Sequence, residues 1–309
     1  MTVDDPENEV LESELVEDAP VIRPRLWPIF AVSLAALVFY IVFAGLAIVV
    51  AALVTHGPFN PLQLRDREFV TSATQTGLGF FCMVVIPQIA MTIPVWIAAS
   101  RSVEPFRERL QLLRGHWPIG LWVCAAIATP LVGVISASLF SRFLPESENL
   151  VELSGLFQKL SEAGWLIPLA LVIGATPGVC EEILFRGYIQ TRVTKRWNGA
   201  IGILIASVLF AAFHMDLVHS LSVFPLGVWL GWICYQSGSV FPAMLAHFYN
   251  NAISVFAAAL AAGMDPEKPT VAVGAISMLI LVGGATAMAT TLLRFRRYGA
   301  AAPATEFVA

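Results

Sequence analysis

The sequence predicts an all-α, polytopic membrane helix bundle of about eight transmembrane helices. Three observations carry that expectation. Of the 309 residues, 57% are hydrophobic and only 13% are charged, whereas a soluble domain carries about 25% charged residues. The mean hydropathy is +0.76. The apolar residues also fall into long runs, and about 20 of them in succession suffice to cross the hydrocarbon core as a helix. Alternating segments of about ten residues, the mark of a membrane β-barrel, do not occur.

Eight runs reach or approach that length: residues 27–54, 72–99, 117–140, 165–192, 198–214, 218–236, 239–262 and 270–293. An even number of crossings puts both termini on one side, and the distribution of Arg and Lys indicates which side. Cytoplasmic termini place 12 basic residues inside, among them Arg23, Arg25, Arg101, Arg107, Arg192 and Arg297, against five outside, Arg65, Arg67, Arg142, Lys159 and Lys268. The excess of Arg over Lys, 15 to 3, together with abundant alanine, points to a bacterial plasma membrane.

The regions flanking the bundle read differently. Eight of the 22 acidic residues lie between Asp4 and Asp18, and no aromatic residue precedes Trp27. Such a segment cannot bury enough surface to fold alone, so residues 1–24 are expected to form a disordered acidic cytoplasmic tail. An acidic start followed by a long apolar run also argues against a cleavable signal peptide. Residues 27–293 are the bundle, and residues 294–309 a basic, then flexible, cytoplasmic tail. The net charge of −4 belongs to the N-terminal tail and suggests no nucleic-acid partner. Cys82, Cys124, Cys180 and Cys234 sit within apolar runs without CxxC spacing, which reads as four buried free thiols.

Two connections have amphipathic spacing. Phe106, Leu110 and Leu113 recur among arginines and read as an interfacial helix. Leu150, Leu153, Leu156, Phe157 and Leu160 show a similar pattern before the fourth run.

Ionisable groups inside a span cost at least about 2.5–3.5 kcal/mol each on insertion scales, so they mark candidate sites. The fourth run contains Glu181, Glu182 and Arg186. Glu182 and Arg186 stand four apart on one helical face and can neutralise each other. Glu181 is then the carboxylate without an evident partner, suited to act as a general base. Pro177 and Gly178, just before the cluster, are expected to kink or loosen the helix. His214 ends the fifth run, and His247 and Asn251 share a face of the seventh. Straight parallel helices would not bring the two histidines level: at 1.5 Å per residue His214 lies about 24 Å along its run and His247 about 12 Å along its own. A short, tilted or broken fifth helix would reconcile them.

Glu181-Glu182 with Arg186, then Phe210 with His214, then His247 with Asn251, in this order on separate spans, resembles the CPBP-type intramembrane endopeptidases. That family, also called Abi, includes type II CAAX prenyl proteases, bacteriocin-processing proteins and lysostaphin-resistance-like proteins. The resemblance covers residues 181–251, within the 165–262 part of the bundle, and implies peptide hydrolysis in the membrane. It implies that Glu181, helped by His214, activates a water, that His247 and Asn251 stabilise the oxyanion, and that Glu182 and Arg186 support the site. It further implies a membrane protein or lipidated peptide as substrate. No cofactor is expected, because HExxH is absent. A zinc-dependent version held by Glu181, His214 and His247 is the alternative. Outside that resemblance, buried Glu, Arg and His also suit a transporter or channel, and a non-catalytic scaffold or immunity protein is a third reading.

Overall fold

A computed structural model describes residues 24–145, 147–261 and 271–298. The expectations for residues 1–23 and 299–309 lie outside the described residues.

Among the described residues the regular structure is helical throughout. The long helices are α1 (Trp27–His56), α3 (Gly77–Ser100), α4 (Ile119–Phe140), α6 (Leu166–Glu182), α9 (Leu217–Ser237), α10 (Phe241–Ala261) and α11 (Val271–Arg294). Between them lie α2 (Arg67–Thr74), α5 (Glu148–Glu162), α7 (Thr191–Arg196) and α8 (Gly199–Ala212). Seven helices are long and apolar enough to cross a membrane, the fourth of them running from Leu166 through Arg196. The remaining apolar run is α8, which has 14 residues and spans about 21 Å at 1.5 Å per residue. The fifth helix is therefore the short one, the condition under which the two histidines can meet.

The ends of α8 and α9 are set locally. The Asn198 side chain accepts from Ile201 N at 2.9 Å, so α8 begins there. It ends before Met215, whose φ of 52° is left-handed. The Asp216 carboxylate accepts from His219 N at 2.7 Å and starts α9. Gly238, with φ 66°, stops it.

α6 lies at the centre, packed against α3 on one side and α10 on the other, while α10 packs on α4, α4 on α9 and α11, and α9 on α8. Small residues make the α6–α10 approach close. A Cβ on Gly174 would lie 2.8 Å from the Phe248 ring, and one on Gly178 would lie 3.1 Å from the Phe248 backbone nitrogen. Gly174 and Gly178 form a GxxxG pair, which lets two helix backbones come together inside a membrane.

Regular α geometry gives way to a π-helix over Ile183–Gln190, directly after the glutamate pair. The expected loosening thus appears after Glu182 rather than at Pro177, which sits inside α6. All eight π-helical residues are buried, and Leu184, Phe185 and Ile189 pack with Met91, Val95 and Phe210 in the largest core cluster.

Of the two amphipathic connections, the second is α5, with Phe157 and Leu160 buried. The first makes one helical turn, Phe106–Arg109, and then departs from the interfacial reading. Gln111 turns left-handed at φ 52°, Leu110 is fully buried, and the Gln111 carbonyl accepts from Val240 N at 3.0 Å. The segment is inserted beneath the π-helix, which the helical spacing alone could not distinguish from a surface position. The four cysteines are free.

Candidate active site

Four helical segments place one network of side chains. At the end of α6, Glu182 is fully buried, and its Oε1 accepts from Arg186 Nη1 at 2.8 Å and from His247 Nδ1, on α10, also at 2.8 Å. Arg186 is equally buried. Its other terminal nitrogen donates to the Gly227 carbonyl of α9 at 2.9 Å, and its guanidinium lies 4.5 Å from the Phe210 ring centroid. One turn further along the π-helix, Gln190 Nε2 donates to the Gly231 carbonyl at 2.9 Å. Two donors thus meet two carbonyls on α9, at Gly227 and Gly231, where the absence of a side chain exposes the backbone.

Glu181 behaves differently from its neighbour. Its side chain is 14% exposed. Oε1 accepts from Gln88 Nε2 of α3 at 2.7 Å, and Oε2 stands 4.0 Å from His247 Nε2. That gap exceeds hydrogen-bond length but fits one oxygen bonded to both groups. Because a carboxylate only accepts, the Glu182 contact fixes the proton on His247 Nδ1, and Nε2 is the imidazole atom directed at Glu181.

The other expected site residues lie around this centre. His214 follows the end of α8, and its Nδ1 contacts the Phe210 carbonyl at 3.0 Å. The Phe210 ring packs edge-on against both histidines, with centroids 5.1 Å from His214 and 5.8 Å from His247. Among the described residues no hydrogen bond joins His214 to Glu181. Its ring instead meets His219 at 4.5 Å. Asn251 Nδ2 donates to the Ile173 carbonyl at 3.2 Å, and its Oδ1 accepts from Asn250.

Among the described residues no three His, Cys, Asp or Glu side chains converge at metal-binding distance. Glu181 and His247 are close, but His214 is turned toward Phe210 and His219, so the three-ligand set is not assembled here.

Gln88 was not among the residues singled out in the sequence. The cost of burying charge marks ionisable groups, and an uncharged amide in a long apolar run does not stand out by it. An available signal was its rarity as a polar side chain within that run, which carries a cost of its own in a membrane. The GxxxG spacing of Gly174 and Gly178 is likewise legible in the sequence.

Residues 163–253 match the family described as Rce1-like, Type II CAAX prenyl endopeptidase Rce1-like. The matched stretch contains Glu181, Glu182, Arg186, His214, His247 and Asn251. Over this stretch the chain is similar to that membrane endopeptidase family. The match and the seven apolar helices among the described residues support a multi-pass membrane protease, with α1 to α5 and α11 outside the matched region. The chain is also similar to the Bacillus subtilis (strain 168) protein named "Putative membrane peptidase YdiL", with 24% identity over 204 residues covering 66% of this chain and 76% of that protein. No solved structure matches the chain.

Proposed function

We propose that this CAAX-type protease hydrolyses a peptide bond of a membrane-associated protein or lipidated peptide through a water activated by Glu181. The observation that carries the reading is the 4.0 Å separation of Glu181 Oε2 from His247 Nε2, each group being fixed from behind, by Gln88 and by Glu182. Oε2 takes a proton from the water as its oxygen adds to the peptide carbonyl carbon. The carbonyl π electrons move to oxygen, and His247, which for this role carries a second proton on Nε2, holds the oxyanion. Collapse breaks the C–N bond, and the proton on Glu181 passes to the leaving amine. Glu182 orients the imidazole through Nδ1, while Arg186 holds Glu182. Asn251, on this reading, ties α10 to α6, and His214 flanks the centre across the Phe210 ring. The termini lie in the cytoplasm, on the 12 to 5 asymmetry of basic residues, with α8 as the eighth crossing.

The test is cleavage of an internally quenched peptide with a farnesylated CAAX terminus by purified protein in proteoliposomes. Cleavage by the native protein and background rates for Glu181→Gln, still folded and inserted, are expected. Turnover at the native rate in that variant overturns the role of Glu181. Stoichiometric zinc that is required for activity and lost in His247→Ala transfers the activation of water to a metal.

A further inference from the structure

We propose that Gln88 is a positioning residue for Glu181: by holding one carboxylate oxygen it aims the other at the reacting water. This rests on Glu181 being the base. Gln88 lies on α3, outside the 163–253 stretch shared with the family, and only the packing of α3 on α6 brings it to the site. It is buried, at 7% exposure. Its Nε2 donates to Glu181 Oε1 at 2.7 Å, the length of a charge-assisted hydrogen bond.

Two features separate this contact from a general tie between helices. The amide carbonyl oxygen of Gln88 is buried without a hydrogen-bond partner among the described residues. Among the described residues its side chain therefore hydrogen-bonds to Glu181 alone, whereas a helix tie of the Asn251 type engages both ends of its amide. The donor also meets Glu181 and not Glu182, whose Oε1 is already shared by Arg186 and His247. Among the described residues Glu181 pairs with no Arg or Lys, and His247 Nε2 stands 4.0 Å away. Without Gln88 its carboxylate would be free to rotate about its terminal torsion, a broad and weakly restrained one. The orientation of the amide follows from the chemistry, because a carboxylate accepts and only the –NH₂ end of Gln donates.

Gln88→Leu removes the donor at similar size. In the proteoliposome assay with the farnesylated peptide, kcat falls about 10- to 100-fold while KM stays within about twofold, since the water is misplaced but the peptide still binds. A second readout needs no turnover. The carboxylate stretch of Glu181 is isolated as the infrared difference between the native protein and Glu181→Gln. In the Gln88→Leu background the same difference band shifts, because one oxygen has lost its donor. An unmoved band overturns the proposal, and so does a shifted band with native kcat. A Gln88→Leu protein that only melts earlier, with band and kcat unchanged, assigns the residue to packing and also overturns it. Should Glu181→Gln retain turnover, the base assignment fails by itself. Should Glu181→Gln be inactive while Gln88→Leu changes neither readout, the base assignment stands and Gln88 alone is excluded.

Discussion

Asn251 donates its side-chain amide to the backbone carbonyl of Ile173 at 3.2 Å. In an α-helix that carbonyl would accept from the residue four positions on, which here is Pro177 and has no N–H. The proline inside α6 and the asparagine on α10 thus compensate each other. A backbone acceptor without its helical donor would be costly in a membrane, and α10 supplies the missing hydrogen. The bond lies two turns from Glu181 on α6 and one turn from His247 on α10, so it also sets the register in which those two side chains face each other.

This relationship makes Asn251→Ala informative. The expected outcome is a loss of about 0.6–2 kcal/mol in stability, the range for one hydrogen bond between membrane helices, with turnover reduced by less than the loss of an oxyanion donor would cause. Thermal denaturation and kcat measured on one preparation decide it. A drop in turnover of about 100- to 1,000-fold at native stability would assign Asn251 to the oxyanion instead.

Replacing Arg186 by Met leaves the buried Glu182 carboxylate without its guanidinium partner, and a loss of about 3–5 kcal/mol is expected. Glu182→Gln combined with Arg186→Met removes both charges, so it should recover part of that stability. It should not recover turnover, because His247 Nδ1 has lost the carboxylate that orients it. Chemical denaturation of the single and double variants, followed by the peptide assay, separates the two effects. Full recovery of turnover in the double variant would show that Glu182 acts only as a counter-ion.

The helix approach can be tested by adding volume. Gly174→Leu places atoms where a Cβ alone would already be 2.8 Å from Phe248, and overpacking typically costs about 1–3 kcal/mol. The variant should melt earlier and lose activity together, as α10 moves His247 away from Glu181. Gly45 on α1 has nothing within 4 Å of its would-be Cβ, so Gly45→Leu is the control and should leave both unchanged.

A pH dependence is expected at the rim of the bundle. Asp216 accepts from the His219 backbone N–H and from the Ser147 hydroxyl, and these bonds hold its carboxyl below the ordinary value of 3.8. A depressed folded-state value means that the group stabilises the fold above its unfolded value and that this contribution is lost as the pH falls through the lower, folded one. The clasp between α5 and the His214 turn should therefore persist at neutral pH and weaken only in acid, below about pH 4. The difference in thermal midpoint between the native protein and Asp216→Asn should shrink over that acid range. A difference that is constant with pH would show that the charge of Asp216 contributes nothing.

The sequence by itself determined the class of the molecule and the polar groups it places inside the spans. Hydropathy sets the spans because a backbone in hydrocarbon must satisfy its own hydrogen bonds, which leaves helices as the solution for long apolar runs. The cost of burying charge makes Glu181, Glu182, Arg186 and the two histidines stand out, and the spacing of four by itself pairs Glu182 with Arg186. Tertiary structure decided which of these groups meet. His247 turned to Glu182 and Glu181, His214 to Phe210 and His219, and Asn251 to a carbonyl that a proline had freed, because helix lengths and crossings set those distances and neither is encoded within a single span. Gln88 entered the site for the same reason. It lies 93 positions from Glu181 in the chain, and only the packing of α3 against α6 closes that separation.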